Sequence, residues 1–415
     1  MQLQEIQTHT LANGLTLIVE PMRAVQSAAF SLLLPAGSNY DPPDRLGSAS
    51  VLCELIMRGA GERNSRDLTE ALEQLGVQHR EHTGNSFLTF SAASVAETLP
   101  ESLRIFGDIV RRPHLPEDQF EAARAGIVQS LRSVEDEPRQ KVMIELRRRC
   151  FDAPWGLPSD GTLETVAQLT PDLCRHHFES CVRPNGSILA VAGNVDPAEV
   201  IRLTEDVFGD WPVLADPVPA TAPRGPHRDH LSHDSEQTHI GVAWDSVPYS
   251  HEAYYDAWAA VGVLSGGMSS RLFTEVREKR GLCYSVYASH TSIPDEGRVL
   301  AYAGTTSARA QETLDVMLAE IVRLQEGISQ AELDRSRARA RSALVMQQES
   351  TMRRASAMAG EWHHLGRVTT LDEIRSRIDA LTVDSVLQHI RQFPPRDFTV
   401  LTIGPQPLEV SVEVP

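Results

Sequence analysis

The chain runs through the same succession of elements twice. In the first half an apolar strand, Ala28–Leu34, leads to a helix at Gly47–Met57. A strand at Phe87–Ala92, long helices at Leu99–Arg111 and Pro116–Val134, and a closing strand at Ile188–Ala192 follow. In the second half the strand is His239–Trp244 and the helix is Tyr254–Leu264. Then come a strand at Val299–Gly304, long helices at Ala308–Gln325 and Gln330–Gln348, helical pieces across Glu361–Ile390, and a closing strand at Phe398–Gly404. Duplication of one α/β unit accounts for 415 residues without unrelated domains. The expected fold is α+β: two homologous α/β halves, each a mostly antiparallel sheet covered by helices. The expected boundaries are 1–210, a linker at 211–235 and 236–415. Pro212, Pro217, Pro219, Pro223 and Pro226 predict an extended, stiff linker. Asn13-Gly14 predicts a two-residue hairpin turn between Thr8–Leu11 and Leu15–Val19, and Ser65 is read as the N-cap of a helix reaching Leu75-Gly76.

A formal charge of −17 argues against nucleic acid or an anionic membrane as the main partner. No run of about 18 apolar residues marks a membrane span. Met1–Glu5 has neither the basic start nor the apolar core of a signal peptide. Cys53, Cys150, Cys174, Cys181 and Cys283 are odd in number and lack CxxC spacing. Reduced structural thiols in a cytoplasmic protein are expected.

Three stretches bear on chemistry. Gly47-Ser48-Ala49-Ser50-Val51-Leu52-Cys53-Glu54-Leu55-Ile56-Met57-Arg58-Gly59 reads as a buried helix, with Val51, Leu52, Leu55 and Ile56 at helical spacing and a glycine stop. Glu135-Asp136-Glu137-Pro138 closes a later helix. Gly266-Gly267-Met268-Ser269-Ser270-Arg271-Leu272-Phe273 through Val286 places Arg277 on a helix and Tyr284 at the start of a strand, seven residues apart, with Gly281 between them. Arg277 offers a planar fork of donors and Tyr284 a phenolic one. Two such donors at one edge suit a peptide carbonyl or the oxyanion formed from it. The alternative is a salt-bridged helix arginine and a half-buried strand tyrosine.

These stretches resemble the pitrilysin/insulinase/processing-peptidase family of zinc peptidases, and the likeness extends from Asn13-Gly14 to Gly404. The family's first helix reads Gly-x-Ala-His-x-x-Glu-His-x-x-x-x-Gly. Here Ser50 and Glu54 stand at the two histidines and Cys53 at the catalytic glutamate. Gln129 and Ser130 stand where the third ligand is expected. Zinc needs three or four protein donors, so no metal is expected at Ser50, Cys53, Glu54 and Ser130. Arg277 and Tyr284 match the family's Arg/Tyr pair. The resemblance also implies that Phe87, Leu88, Thr89 and Phe90 form an edge strand near bound peptide. Arg80 and His82 depart from the family's usual residues.

The resemblance implies a non-metal subunit of a heterodimeric zinc peptidase, with zinc in a homologous partner. Arg277 and Tyr284 would position peptide in that partner's site. A structural or peptide-binding homologue, working as a homodimer or a core subunit, is the alternative. An altered metalloprotease using Cys53 and Glu54 is a third reading. His227, His230 and His233, three apart in the linker, stand as either exposed loop residues or metal ligands.

Overall fold

The computed structural model describes residues 4–410. The chain forms two compact units: Met1–Ser133 with Leu157–Ala222 and Met346–Thr369, and Val134–Gly156 with Pro223–Val345 and Thr370–Pro415. They differ from the expected halves by two exchanged segments, 134–156 and 346–369.

The first unit holds β1 (Gln7–Thr10), β2 (Thr16–Pro21), β3 (Ser27–Leu34), β4 (Gly59–Ala60), β5 (Arg63–Asn64), β6 (Gln78–Thr83), β7 (Leu88–Val95) and β8 (Ile188–Gly193). Six strands make one sheet in the order β1-β2-β8-β3-β7-β6, parallel at β2/β8 and antiparallel elsewhere. The second unit holds β9 (Arg228–Ser232), β10 (Gln237–Ser246), β11 (Cys283–Ser292), β12 (Gly297–Thr306) and β13 (Thr399–Gly404). Its order is β11-β12-β10-β13-β9, parallel only at β13/β9. Reversed, that is the first sheet without β1. The duplication is therefore one of topology as well as element order.

This equivalence corrects the linker. Residues 228–232 are not an extended spacer but β9, the counterpart of β2, and they pair with β13. The run Arg228-Asp229-His230-Leu231-Ser232 is too polar to announce a strand, because most of it is only partly buried.

Both faces of each sheet are covered. In the first unit, Phe30 of β3 and Phe90 of β7 meet Phe106 of the Leu99–Arg111 helix, with the Phe30 and Phe106 centroids 5.1 Å apart edge to face. On the other face, Ala355, Met358 and Ala359 of the Thr351–Leu365 helix pack on Ile18, Ile188 and Ala190. That helix comes from the second half of the sequence. Reciprocally, Val142 and Leu146 of the Pro138–Cys150 helix cover Ala243, Leu401 and Ile403 of the second sheet. Gly241 of β10 allows this approach: a Cβ there would lie 3.2 Å from Leu146 and 3.3 Å from Val142. Strands covered on both faces must be apolar throughout, which is why β3, β8 and β13 read as near-continuous hydrophobic runs.

Two local expectations shift. The first hairpin is not a two-residue turn: Gly14 N–H donates to Leu11 O and Leu11 N–H to Leu15 O, and Gly14 takes φ +86°. The turn centres on Ala12-Asn13, with glycine as the left-handed closing residue. The N-cap of the Ser65–Gln74 helix is Asn64, whose side chain accepts from Arg66 and Asp67 N–H. Among the described residues no helix is long and apolar enough to cross a membrane.

Candidate functional site

The helix bearing the degenerate motif spans Ser48–Ile56. Its N-cap, Gly47, sits at φ +96° and has no side chain to cap the helix. A Cβ there would meet Val166 Cγ2 at 2.7 Å and Asp160 O at 2.8 Å. Asp41 supplies the cap from a distance, accepting from Gly47 N–H (2.8 Å) and Ala49 N–H (3.0 Å). Burial pushes the Asp41 carboxyl up to about 7, against the opposing backbone bonds. His177 Nδ1 lies 3.4 Å from Asp41, and its Nε2 bonds Ala36 O at 2.9 Å. Burial holds this imidazole down at about 4.

From this anchored start the motif residues diverge. Ser50 Oγ is buried against Asp160 Oδ1 (2.8 Å) and Ser159 O (3.0 Å). Cys53 is buried, and desolvation raises its thiol to about 12, so it stays protonated at neutral pH. Glu54 is exposed. Ser130 is exposed on the Phe120–Glu135 helix and bonds to nothing among the described residues. Cys53 and Glu54 line a cavity of about 190 Å³ closed by the Ser65–Gln74 helix and β6. The β6 side chains reaching it are His79 and Glu81, with Nδ1 to Oε1 at 2.5 Å. Arg80 and His82, the two departures from the family's usual residues, alternate with these along the strand and point to its other face.

The edge-strand expectation is overturned. β7 lies between β3 and β6, with its backbone paired on both sides. Leu88 and Phe90 are buried, Thr89 is half-buried, and Phe87 precedes the strand with its ring 4.7 Å from that of His363. A strand with both sides occupied accepts no peptide. The strand at this end of the sheet is β6. β6 was missed because its six residues, Gln-His-Arg-Glu-His-Thr, carry no apolar alternation.

Arg277 and Tyr284 are brought together. The segment Phe273–Glu278 is π-helical, with Lys279 N–H donating to Thr274 O. One end is tied down by Arg271, whose guanidinium bonds Glu332 (2.7 Å) and Gly327 O (2.7 Å). Burial alone would raise the Glu332 carboxyl, but the bonds from Arg271 and Ser329 prevail and hold it at about 2. Gly281, at φ +57°, turns the chain into β11. There the register shifts between Cys283 and Ser285, which leaves Tyr284 as a bulge residue, 84% exposed. Bulges re-aim side chains in this way. The Arg277 guanidinium carbon lies 4.8 Å from the Phe273 ring and 4.9 Å from that of Tyr284. Among the described residues neither the Arg277 guanidinium nor the Tyr284 hydroxyl has a hydrogen bond or an ion pair. The arrangement is a stacked cation beside a free phenol, not a salt-bridged helix arginine.

Of the linker histidines, His230 lies in β9, while His227 precedes it and His233 follows it. His230 Nδ1 stands 2.8 Å from Thr402 Oγ1 and His227 Nδ1 3.1 Å from Thr399 Oγ1, while His233 N–H donates to Gly404 O.

Comparison with known proteins fits this geometry. Residues 17–154 match the family described as Insulinase (Peptidase family M16), and residues 168–340 match the Peptidase M16 inactive domain. A Bacillus subtilis protein named an uncharacterized zinc protease is 28% identical over 406 residues, covering 96% of this chain and 98% of its own. An uncharacterized zinc protease of Rickettsia bellii is 26% identical over 400 residues, covering 96% and 97%. The fold is shared with a peptidase M16 inactive domain from Pseudomonas fluorescens, at TM-score 0.86 and 20% identity over 99% of this chain and 100% of that one. It is also shared with a chain of Complex III2 from Candida albicans, at TM-score 0.80 and 20% identity over 96% of each. The class is that of two-unit zinc-peptidase folds, and the chain belongs to the insulinase family of M16 peptidases.

The relatives are named for zinc, but the residues here do not fit the ion. Ser50 is turned to the Ser159-Asp160 loop, Cys53 is a buried neutral thiol, and Glu54 is one carboxylate. Among the described residues no three histidine, cysteine, aspartate or glutamate side chains stand grouped for a metal.

Proposed function

We propose that this chain is the peptide-gripping, zinc-deficient subunit of a heterodimeric M16 peptidase. An extended peptide pairs with the free edge of β6 by β-augmentation. Arg277 and Tyr284 orient the peptide carbonyl in the site of a homologous, zinc-bearing partner, where developing negative charge meets two ready donors. The observation that carries this reading is the contrast between two sites. The metal positions have lost their donors, while the Arg277 guanidinium stacks on Phe273 and Tyr284 with its hydrogen-bonding capacity unspent. All five cysteines are free and buried, which supports a reducing, cytoplasmic setting.

The test is reconstitution. The chain mixed with its zinc-binding homologue should cleave peptides that neither cleaves alone. Activity that is unchanged in Arg277→Ala and Tyr284→Phe would remove the assignment. A stable homodimer with no peptide binding would point to the structural role instead.

A further inference from the structure

The turn that separates Arg277 from Tyr284 is held from outside. Gly281 N–H donates to Arg277 O (3.0 Å) and Leu282 N–H to Val276 O (2.9 Å), which closes the π-helical segment behind the turn. The three carbonyls of the turn itself are taken by side chains. Arg309 Nη2 donates to Arg280 O and Arg309 Nη1 to Gly281 O, each at 2.8 Å. Thr305 Oγ1 donates to Leu282 O at 2.6 Å. Thr305 lies near the end of β12, and Arg309 closes the short turn that follows it. Thr313, buried in the Ala310–Val322 helix, ties the two together: its Oγ1 stands 2.8 Å from Arg309 O and 3.2 Å from Thr305 Oγ1. The Glu312 carboxylate is 3.8 Å from Arg309, too far for a hydrogen bond, so the guanidinium's donors are directed at the two carbonyls.

We propose that Arg309 is a positioning residue: by gripping two successive carbonyls of the Gly281 turn, it sets the Arg277 guanidinium against the Tyr284 ring. The proposal rests on the reading of that pair as substrate-orienting donors, and adds the residue that places them. Something outside the turn has to do this. Gly281 sits at φ +57°, and a Cβ there would meet nothing within 4 Å, so packing does not fix the turn. Glycine is also the residue whose backbone is least restricted by itself. The Arg277 guanidinium and the Tyr284 hydroxyl have no hydrogen bonds of their own among the described residues, so the backbone that carries them decides where they stand. A planar fork of N–H groups meets two neighbouring acceptors at once, which a lysine ammonium does not do in fixed geometry. The Arg309 side chain is 41% exposed. Water therefore replaces its bonds when it is removed, and the turn loosens while the fold stands.

The first measurement needs only the full chain. With 3-fluorotyrosine placed at position 284, the fluorine resonance reads the stacked guanidinium. Arg277→Ala should shift it, and Arg309→Ala should shift it toward the same value, with circular dichroism unchanged. A resonance that stays at the parent position in Arg309→Ala overturns the proposal. The second measurement uses the reconstituted peptidase. Arg309→Ala should lower kcat/KM by about tenfold, less than the loss of a donor outright, because the donors remain and are only misplaced. The loss should fall on kcat, with KM nearly unchanged. Arg309→Lys meets one carbonyl at a time and should fall between parent and Arg309→Ala; it carries the same comparisons should the alanine variant not fold. In a background of Arg277→Ala with Tyr284→Phe, Arg309→Ala should cost less than about twofold, since residues acting through one another are not additive. A full tenfold cost in that background marks a general structural role and overturns the proposal. Rates unchanged in Arg277→Ala and Tyr284→Phe remove the substrate-orienting reading instead, and the fluorine shift then decides the positioning by itself.

Discussion

The guanidinium carbon of Arg277 stands 4.9 Å over the ring of Tyr284, with the Phe273 ring 4.8 Å away. A cation stacked on two aromatic rings loses less freedom when it meets a carbonyl. In the reconstituted peptidase, Arg277→Ala and Tyr284→Phe should each lower kcat/KM by about 10²-fold, the scale of one lost oxyanion donor. Phe273→Leu keeps the donors but loosens the stack. It should cost about tenfold or less, the size of one exposed cation–π contact. Steady-state kinetics on a single peptide separates the three.

Metal content tests the vacated motif directly. Protein prepared without chelators should hold zinc far below one equivalent, because three or four donors are required and Ser50, Cys53 and Glu54 do not provide them. Elemental analysis measures it. One tightly held equivalent would mean that the Ser50 and Cys53 environments differ from those described.

The buried pair Arg354–Glu20 tests the exchanged helix. Arg354 Nε lies 2.6 Å from Glu20 Oε2, and Arg354 is 1% exposed. Arg354→Ala should destabilise the first unit by about 3–5 kcal/mol, since it leaves a buried carboxylate without its cation. Replacing both residues by hydrophobic ones of similar size should cost much less. Chemical denaturation followed by tryptophan fluorescence reads the difference.

Acid should weaken the fold. Burial holds His177, His363 and His389 at about 4, below the ordinary 6.5. The unfolded chain protonates these residues below 6.5 while the folded chain does not. Their stabilising contribution is therefore whole above pH 6.5 and lost as pH falls toward 4, on the order of 3 kcal/mol each at most. Asp41 runs the other way. Its raised carboxyl keeps a proton that the unfolded chain gives up above about 4, so its contribution falls as pH rises toward 7. Three groups outweigh one, and the melting temperature should drop between pH 6.5 and 4.5. Asp41→Asn removes the opposing contribution and should steepen the drop. A flat profile in scanning calorimetry would contradict the burial of these imidazoles.

Legibility in the sequence followed the range of the interaction. The Ser48–Ile56 and Leu99–Arg111 helices and the β3 and β8 strands were readable because periodicity over a few residues encodes them. Arg277 and Tyr284 were readable as a pair for the same reason: one short turn at Gly281 separates them. β6 was not, since an edge strand of polar residues has no apolar signature and its role comes from lacking a second neighbour. His79 and Glu81 stayed hidden with it. The same holds for β9, whose partner β13 lies some 170 residues further on.

Taken alone, the residue order determined that one α/β unit occurs twice, that a zinc motif has lost its donors, and that an arginine and a tyrosine lie within reach of each other. Only the tertiary structure decided that each sheet is completed by a helix from the other half of the sequence, that a bulge leaves Tyr284 exposed, and that Glu54 and Glu81 line one cavity. The first set depends on contacts a few residues apart along the chain. The second depends on which distant surfaces fit together, and a linear pattern of side chains does not record that.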